Sequence, residues 1–332
     1  MLSRKLSLAV LSLSACGGCD VQILRAFTLH EELQKMYDIV YWSFVLEKTK
    51  LPSEIDVALV NGAVRTEEDL AILKKVRNIT RRLIVVGTCG GFGGISGQAD
   101  YWPIDVNLKA IYGGELKDTP KLLSRVYAPA DIVDVDYIVT NCPPRIDTIA
   151  SILKVVYEGK ELKPKPTTVC SQCPRKMREI ELDTYKPKRL DLVHQANSED
   201  CLLVQGYLCL GPVTYSGCGA VCPSFGLPCF GCGGPGWLVA VRRDYDILPT
   251  LVRRLAVLGN ANTIEDENKL ASKLVEAYKI RRFYIFTIGS SLIRGKPRAY
   301  AIKAIIETRK DPRFAEALVS ERKSVLGEPK QG

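Results

Sequence analysis

The stretch LSLAVLSLSACGGCD, residues 6–20, decides the fold that the sequence predicts. Residues 6–15 are apolar or small almost throughout, which predicts a strand buried on both faces. This strand places Cys16 at its carboxyl end, where Cys16 and Cys19 form a C-x-x-C pair. A buried strand that runs directly into paired cysteines predicts an α/β sheet with a metal site at its edge.

The N-terminus has a second interpretation. Arg4 and Lys5 precede the apolar run, and small residues precede Cys16, as in a bacterial lipoprotein signal peptide. We favour the buried strand, because the twelve cysteines of the chain form complete sets of four only if Cys16 is included.

Strands and helices alternate along the first 160 residues. EIDVALVNG, RRLIVVGT and YIVTNC predict three further strands, and TEEDLAILKKVRN opens with a Thr-x-x-Asp capping signal. Such alternation is typical of a parallel, doubly wound sheet with helices on both faces. The predicted strands cover residues 6–15, 54–62, 81–88 and 137–142, and the predicted helices cover 20–37, with Asp20 as N-cap, 66–78, and the residues from Pro144 to about Val156.

Three of the four strands end in cysteine, at Cys16, Cys89 and Cys142. Ligands of such sheets bind outside the carboxyl ends of the strands. We therefore expect these thiols and that of Cys19 to converge, although each taken alone would suit a small buried apolar position.

The glycine-rich stretch GTCGGFGGISG, residues 87–97, surrounds Cys89. It is not a P-loop, because no Gly-Lys-Ser/Thr follows, and it matches the dinucleotide fingerprint poorly. We interpret it as a loop whose glycines let the backbone approach a bound cluster closely and donate N–H groups to it.

From residue 161 the composition changes. KPKPTT is a Pro/Lys linker, Cys170 and Cys173 follow with a charged stretch that predicts a helix, and residues 201–235 hold six cysteines among glycines and prolines. No helix or strand period survives there, so something else has to hold the segment together, and thiolate–metal bonds can do so. Two C-terminal helices are predicted at 250–260 and 265–280, and RRFYIFTIG is interpreted as a strand or an extended docking segment. The chain thus divides into a sheet domain, 1–160, and an irregular cysteine-rich domain with C-terminal helices, 161–332.

The twelve cysteines sort into three sets of four. Four thiolates suit either Zn²⁺ or a 4Fe–4S cluster. The two histidines, His30 and His194, are interpreted as structural or exposed, and no nucleophile–base constellation is evident. The first set is Cys16, Cys19, Cys89 and Cys142; the second set is Cys170, Cys173, Cys201 and Cys209; the third set is Cys218, Cys222, Cys229 and Cys232.

Charge and hydropathy exclude several classes of protein. The net charge of +9 is spread along the chain without a nucleic-acid-binding motif. No apolar run reaches the roughly 18 residues that a membrane span needs. Paired C-x-x-C spacings in a chain that is not evidently secreted predict metal sites in the reducing cytoplasm.

The motifs resemble those of the small subunits of nickel–iron hydrogenases. The resemblance is carried by SACGGCD (14–20), GTCGGFGG (87–94), NCPPR (141–145), CSQC (170–173) and residues 201–235. It implies a flavodoxin-like domain followed by an irregular iron–sulfur domain, with three 4Fe–4S clusters and no catalytic residue in this chain. By position, the first set would bind the cluster proximal to the active site, the third the medial and the second the distal cluster. The nickel–iron site would lie in a separate large subunit.

Two features of the cysteine sets resemble those of the cytoplasmic members of that family. Cys170 stands where periplasmic relatives carry histidine, and the third set has four cysteines where many respiratory relatives have three. The resemblance is nearest to F420-non-reducing hydrogenases linked to heterodisulfide reductase, with the F420-reducing and sulfhydrogenase types as alternatives. It implies a further iron–sulfur or flavin subunit as electron acceptor. Asn61 stands where many relatives carry glutamate, so that role is open here.

Two other classes remain as alternatives. Quinone-reductase subunits share the first domain and the proximal cluster, but they carry adjacent cysteines instead of Cys16-x-x-Cys19 and lack the eight later ones. A zinc-stapled interaction protein is the second alternative, and it would be colourless where an iron–sulfur protein is brown.

Overall fold

The computed structural model describes residues 4–46, 50–114, 119–163, 167–241, 246–261 and 263–290. The chain divides into two compact units, which we call the sheet unit (1–164 with 285–300) and the cysteine-rich unit (165–284 with 301–332). The predicted C-terminal extension beyond residue 290 and residues 164–166 of the linker lie outside the described residues.

The sheet unit is built on a five-stranded parallel sheet. Its order is β2-β1-β3-β5-β7, with Leu8 of β1 opposite Val57 of β3. Counted in chain order within the sheet, this is the flavodoxin-like order 2-1-3-4-5, so the predicted fold class is confirmed. The sheet strands are β1 (Leu6–Ser12), β2 (Tyr37–Trp42), β3 (Ile55–Asn61), β5 (Thr80–Val86) and β7 (Tyr137–Val139), and β4 (Val64–Thr66) pairs antiparallel with β6 (Leu122–Tyr127) in a separate ribbon.

Both faces of the sheet are buried, as the apolar strands predict. Leu8 and Val10 of β1 belong to one core cluster, and Ala9 and Leu11 belong to the other. The two clusters contain residues of helices that connect the strands, so the sheet is covered on both sides. The helices of this unit are α1 (Gly18–Leu29), α2 (Glu32–Met36), α3 (Glu67–Ile79), α4 (Thr88–Phe92), α5 (Ile104–Tyr112), α6 (Pro129–Ile132) and α7 (Ile146–Tyr157).

One predicted helix differs from the structure. The helix expected over 20–37 ends at Leu29, and Tyr37 begins β2, an edge strand that the sequence pattern did not reveal. The segment YDIVYW is rich in aromatic and β-branched residues, which pack well on a pleated surface, and this preference outweighs the helical spacing. By contrast, the Thr66–Asp69 capping box is confirmed, with both reciprocal hydrogen bonds present at the start of α3.

The cysteine-rich unit has little regular structure before residue 237. The charged stretch after Cys173 is not helical, and RRFYIFTIG forms a 3₁₀ turn and further turns instead of a strand. Both predicted C-terminal helices are confirmed. The helices of this unit are α8 (Val221–Ser224), α9 (Trp237–Val241), α10 (Ile247–Leu258) and α11 (Ile264–Tyr278), and 3₁₀ turns cover Val169–Gln172, Leu190–Gln195, Gly211–Val213 and Ile280–Phe283.

Within the described ranges, no helix combines the length and the hydropathy needed to cross a membrane.

Candidate iron–sulfur sites

The first set gathers at the carboxyl edge of the sheet. Cys16 lies between β1 and α1, Cys19 lies in the first turn of α1, and Cys89 lies in α4 just after β5. Cys142 follows β7 by three residues. Burial, and then the neighbouring thiols of Cys89, Cys142 and Cys16, raise the pKa of Cys19. Four groups that repel one another as anions are thus within electrostatic reach, where a bound cation would favour their thiolate forms.

Glycines make room for these thiols. A Cβ on Gly87, which has φ +89°, would collide with Cys19 Sγ, and a Cβ on Gly94 would lie 2.5 Å from Cys89 Sγ. Only glycine combines this left-handed backbone with the absence of a side chain. The predicted close approach of backbone to the site therefore holds at these two positions.

Other glycines of the same stretch have a different partner. Gly93 lies against the backbone of Gly289, where an added Cβ would come within 2.7 Å of Gly289 Cα. The stretch also contains α4 and a 3₁₀ turn over Ile95–Tyr101, so it is not a loop throughout. The interpretation of every glycine as cluster-facing is wrong, because some serve to admit a distant segment of the chain.

The second set is assembled by turns. Burial, and then the thiols of Cys209, Cys201 and Cys173, raise the pKa of Cys170. Burial raises the pKa of Cys209 to about 12. Gly211 lies between the thiols, since its Cβ would be 3.3 Å from Cys170 Sγ and 3.6 Å from Cys209 Sγ. The four predicted members are brought together.

The third set is described as two pairs. Burial and, to a smaller extent, the thiol of Cys218 raise the pKa of Cys222. Burial raises the pKa of Cys229 most, followed by the thiol of Cys209, with a smaller contribution from Cys232. Cys222 is exposed in α8 and Cys229 is buried. The two pairs differ in their access to solvent, and their union in one set of four stays a prediction.

A direct hydrogen bond joins the second and third sets. The backbone N–H of Cys229 donates to Cys209 Sγ at 3.2 Å. The backbone N–H of Leu210 donates in return to the carbonyl of Cys229 at 2.8 Å. N–H donors to sulfur are typical of iron–sulfur sites, where they tune the reduction potential.

Sequence reasoning missed the role of Asp20. It is not the N-cap of α1, a position that Gly17 occupies, but a carboxylate that is only 2% exposed. Its Oδ1 accepts hydrogen bonds from Ser12 Oγ at 2.6 Å, Trp42 Nε1 at 3.0 Å and Asn61 Nδ2 at 3.1 Å. The three donors end β1, β2 and β3, so the signal lay in tertiary convergence at strand ends.

The histidines lie outside these sites. His30 faces Glu32 and Asp147, at 3.7 and 3.4 Å, and His194 Nδ1 lies 3.1 Å from the carbonyl oxygen of Asp191. In the described part of the chain, no three His, Cys, Asp or Glu side chains are grouped closely enough for one metal ion. The thiol donor sets, the glycine clearances at Gly87 and Gly94 and the N–H donor to Cys209 fit clusters in which each thiolate binds its own iron.

Comparison with known proteins identifies the family. The family model described as NADH ubiquinone oxidoreductase, 20 Kd subunit, matches residues 16–156. The chain is 33% identical over 246 residues to one subunit of the vhu F420-non-reducing hydrogenase of Methanococcus voltae, covering 70% of this chain and 83% of that protein. The chain belongs to the hydrogenase small-subunit family.

A second relative agrees with this family. The hydrogenase small subunit is 29% identical over 328 residues to the iron-sulfur subunit of the F420-non-reducing hydrogenase of Archaeoglobus profundus, covering 88% of this chain and 98% of that one. A crystal structure of an NAD+-reducing [NiFe]-hydrogenase in the H2-reduced state matches at 27% identity and a TM-score of 0.45, covering 49% of this chain and 97% of that chain. This small subunit is an electron-transfer component of a hydrogenase.

Proposed function

We propose that this small subunit holds three 4Fe–4S clusters and conducts electrons between the nickel–iron site of a large subunit and an external acceptor. The observation that carries the proposal is the convergence of Cys16, Cys19, Cys89 and Cys142 from three separate segments of the chain. By the family resemblance, the first set binds the proximal, the third set the medial and the second set the distal cluster. All twelve cysteines carry thiols and not disulfides, which suits the cytoplasm as compartment.

The face around Cys16 is suited to the large subunit. Cys16 is exposed, and Val21, Leu24 and Phe44 are exposed apolar side chains of the same unit, with Phe44 65% accessible. A Cβ on Gly17 would lie 3.9 Å from Phe44 Cζ, so the phenyl ring borders the C-x-x-C turn. Exposed apolar side chains grouped in this way mark protein interfaces.

Metal analysis of the anaerobically purified complex tests the cluster count. Three full sets predict about 12 iron atoms and no stoichiometric zinc in this chain. The variants Cys16→Ser, Cys170→Ser and Cys218→Ser should each damage one cluster, which is read by electron paramagnetic resonance. Four iron atoms or fewer in fully loaded protein would refute the proposal, and a colourless protein with zinc would favour the zinc-stapled alternative.

The electron exit is tested separately. We assign it to the second set, beside which Arg175, Lys176 and Arg178 supply basic charge suited to an acidic iron–sulfur or flavin subunit. Cys170→Ala should abolish reduction of the physiological acceptor and largely spare hydrogen–deuterium exchange at the partner's nickel–iron site. Acceptor reduction that persists without the distal cluster would move the exit to another set. Assays with F420, sulfur and a heterodisulfide reductase complex distinguish the subtypes.

A further inference from the structure

Fixed charges of opposite sign lie beside the first and the second cysteine sets. The negative charge is Asp20, which follows Cys19 directly in α1 and is 2% exposed. Trp42 and Asn61 use N–H groups that can only donate, so Asp20 Oδ1 is an acceptor.

Asp20 has no cation to neutralise it in the part of the sheet unit that the structure describes. Its three hydrogen-bond donors, Ser12, Trp42 and Asn61, are all uncharged. Its field also contributes, after burial and the neighbouring thiols, to the raised pKa of Cys19. The negative charge beside the first set is therefore attenuated by hydrogen bonds and by no cationic side chain of the described residues.

The positive charge is Arg254 in α10. Its Nη2 lies 3.7 Å from Met177 Sδ, and its Nε is buried with no hydrogen-bond acceptor. Helix α10 packs on the turn Gly211–Val213, which in turn packs on the turn that carries Cys170. Burial and three thiols raise the pKa of Cys170, and Arg254 acts in the opposite direction.

No carboxylate forms an ion pair with Arg254 among the described residues of the cysteine-rich unit. A second guanidinium, Arg175, acts on Cys201, but it is bonded to the carbonyls of Pro223, Asn197 and Asp200 and so has a structural role as well. Among the described residues Arg254 makes no such bonds to the backbone, so its charge can be removed with less structural consequence.

We propose that Asp20 and Arg254 set the reduction potentials of two clusters apart, Asp20 lowering that of the first set and Arg254 raising that of the second. The inference rests on the proposed function. Each one-electron reduction adds one negative charge to a site and breaks no bond, so a nearby carboxylate opposes it and a guanidinium favours it.

The consequence is a bias on the direction of electron flow. Oxidation of H2 on the large subunit yields two protons and two electrons, and the electrons leave singly. A low potential at the first set and a higher one at the second favour flow toward an external one-electron acceptor such as a flavin or iron–sulfur subunit. The two charges therefore favour electron transfer from the first cluster to the second, which is the direction of H2 oxidation.

Redox titration of the purified complex, followed by electron paramagnetic resonance, tests the inference. We expect Asp20→Asn to raise the midpoint potential of the first cluster by about 59 mV. This shift corresponds to roughly a tenfold change in the equilibrium constant of a one-electron reduction. Arg254→Gln should lower the potential of the second cluster by a similar amount. Neither variant should move the other cluster.

Matched controls are available in the same units. Asp56→Asn removes a buried carboxylate at the opposite end of β3, and Arg253→Gln removes the neighbouring, solvent-exposed arginine of α10. Asp20→Glu should keep the potential of the first cluster. Should Asp20→Asn fail to load iron, Ser12→Ala provides a second test, because loss of one donor should lower that potential.

The outcomes separate this inference from the proposed function. Loaded clusters whose potentials in the Asp20 and Arg254 variants stay within the range of the two controls would overturn the inference alone. An unsubstituted complex without reducible clusters in the two sets would overturn both proposals. Shifts of equal size in the control variants would assign the effect to general destabilisation and also overturn the inference.

Discussion

The two units hold their cysteines by different means. In the sheet unit, the first set is attached to a parallel sheet with a buried core cluster on each face. In the cysteine-rich unit, the segment 167–236 has no strand and no α-helix longer than four residues. Its backbone groups are satisfied by turns, isolated bridges and side chains, and apolar residues such as Leu203 and Tyr207 are buried.

This difference assigns different roles to bound metal. A sheet that buries continuous apolar strands has its own folding free energy, so metal adds to a structure that already exists. A segment without regular hydrogen-bonded ladders depends on ligation, and there the binding free energy is folding free energy. We therefore expect metal to bind to an existing fold in the sheet unit and to be required for the fold of residues 167–236.

Iron removal is the strongest test of this comparison. After oxidation and chelation, amides of residues 167–236 should lose protection from hydrogen exchange, and those of β1, β3 and β5 should keep it. The reason is that only residues 167–236 rely on metal ligation for their order. Mass-spectrometric exchange before and after chelation makes the measurement. Equal loss of protection in both units would show that the sheet also requires metal.

Gly87→Ala should give the next largest effect, and it should be confined to the first site. The added Cβ would collide with Cys19 Sγ at a position of φ +89°, so we expect loss of the first cluster and destabilisation by several kcal/mol. Iron content and urea unfolding measure both effects.

The matched control is Gly113→Ala. Gly113 has a similar φ of +80° but nothing within 4 Å of the added Cβ. We expect only the left-handed backbone cost, about 1 kcal/mol, and full iron content. If the two variants lose iron equally, backbone conformation and not the clash with Cys19 decides the site.

Two buried tyrosines allow the same change in both units. Tyr37 donates to the carbonyl of Leu153 at 2.6 Å, and Tyr185 donates to that of Leu203 at 3.0 Å. Either Tyr→Phe change removes one buried hydrogen bond, at a cost of about 1 kcal/mol in the loaded protein. In iron-free protein only Tyr37→Phe should still register in urea unfolding, because the surroundings of Tyr185 are then already disordered. A persistent effect of Tyr185→Phe would contradict the comparison.

Acid should weaken the sheet unit slightly through Asp56. Burial opposes ionisation, but hydrogen bonds from the Ser7 amide and hydroxyl and the charges of Arg4 and Arg81 lower the pKa of Asp56 overall. A lowered folded-state pKa gives stability that is present above the unfolded value, about 3.9, and is lost as the pH falls through the folded value.

Asp56→Asn should therefore remove about 1 kcal/mol at pH 7 and little at pH 3. Urea unfolding at both pH values, with hydrogen exchange to localise the change to β1 and β3, makes the measurement. An undiminished loss of stability between pH 5 and pH 3 in the variant would assign the acid sensitivity to other carboxylates.

Much of the sheet unit could be predicted from the sequence. The runs that became β1, β3 and β5 are apolar on both faces, and the capping box at Thr66 marks the start of α3, because these signals act between residues close in the chain. The gathering of the first set could also be expected, since ligands meet at the carboxyl ends of parallel strands, whereas the four-membered third set stays a prediction. Edge strand β2 could not be predicted, because its sequence combines helical spacing with residues that favour strands. Its pairing with β1 decided in favour of the strand.

The cysteines and the apolar strands by themselves determined the class of fold, the kind of site and the family resemblance. Only the tertiary structure decided that Asp20 is a buried acceptor for donors from three strand ends, and that Gly93 admits the backbone of Gly289. The physical reason is range. Periodicity and ligand chemistry are properties of neighbouring residues, whereas the burial of a charge and the approach of two backbones depend on partners far apart in the chain.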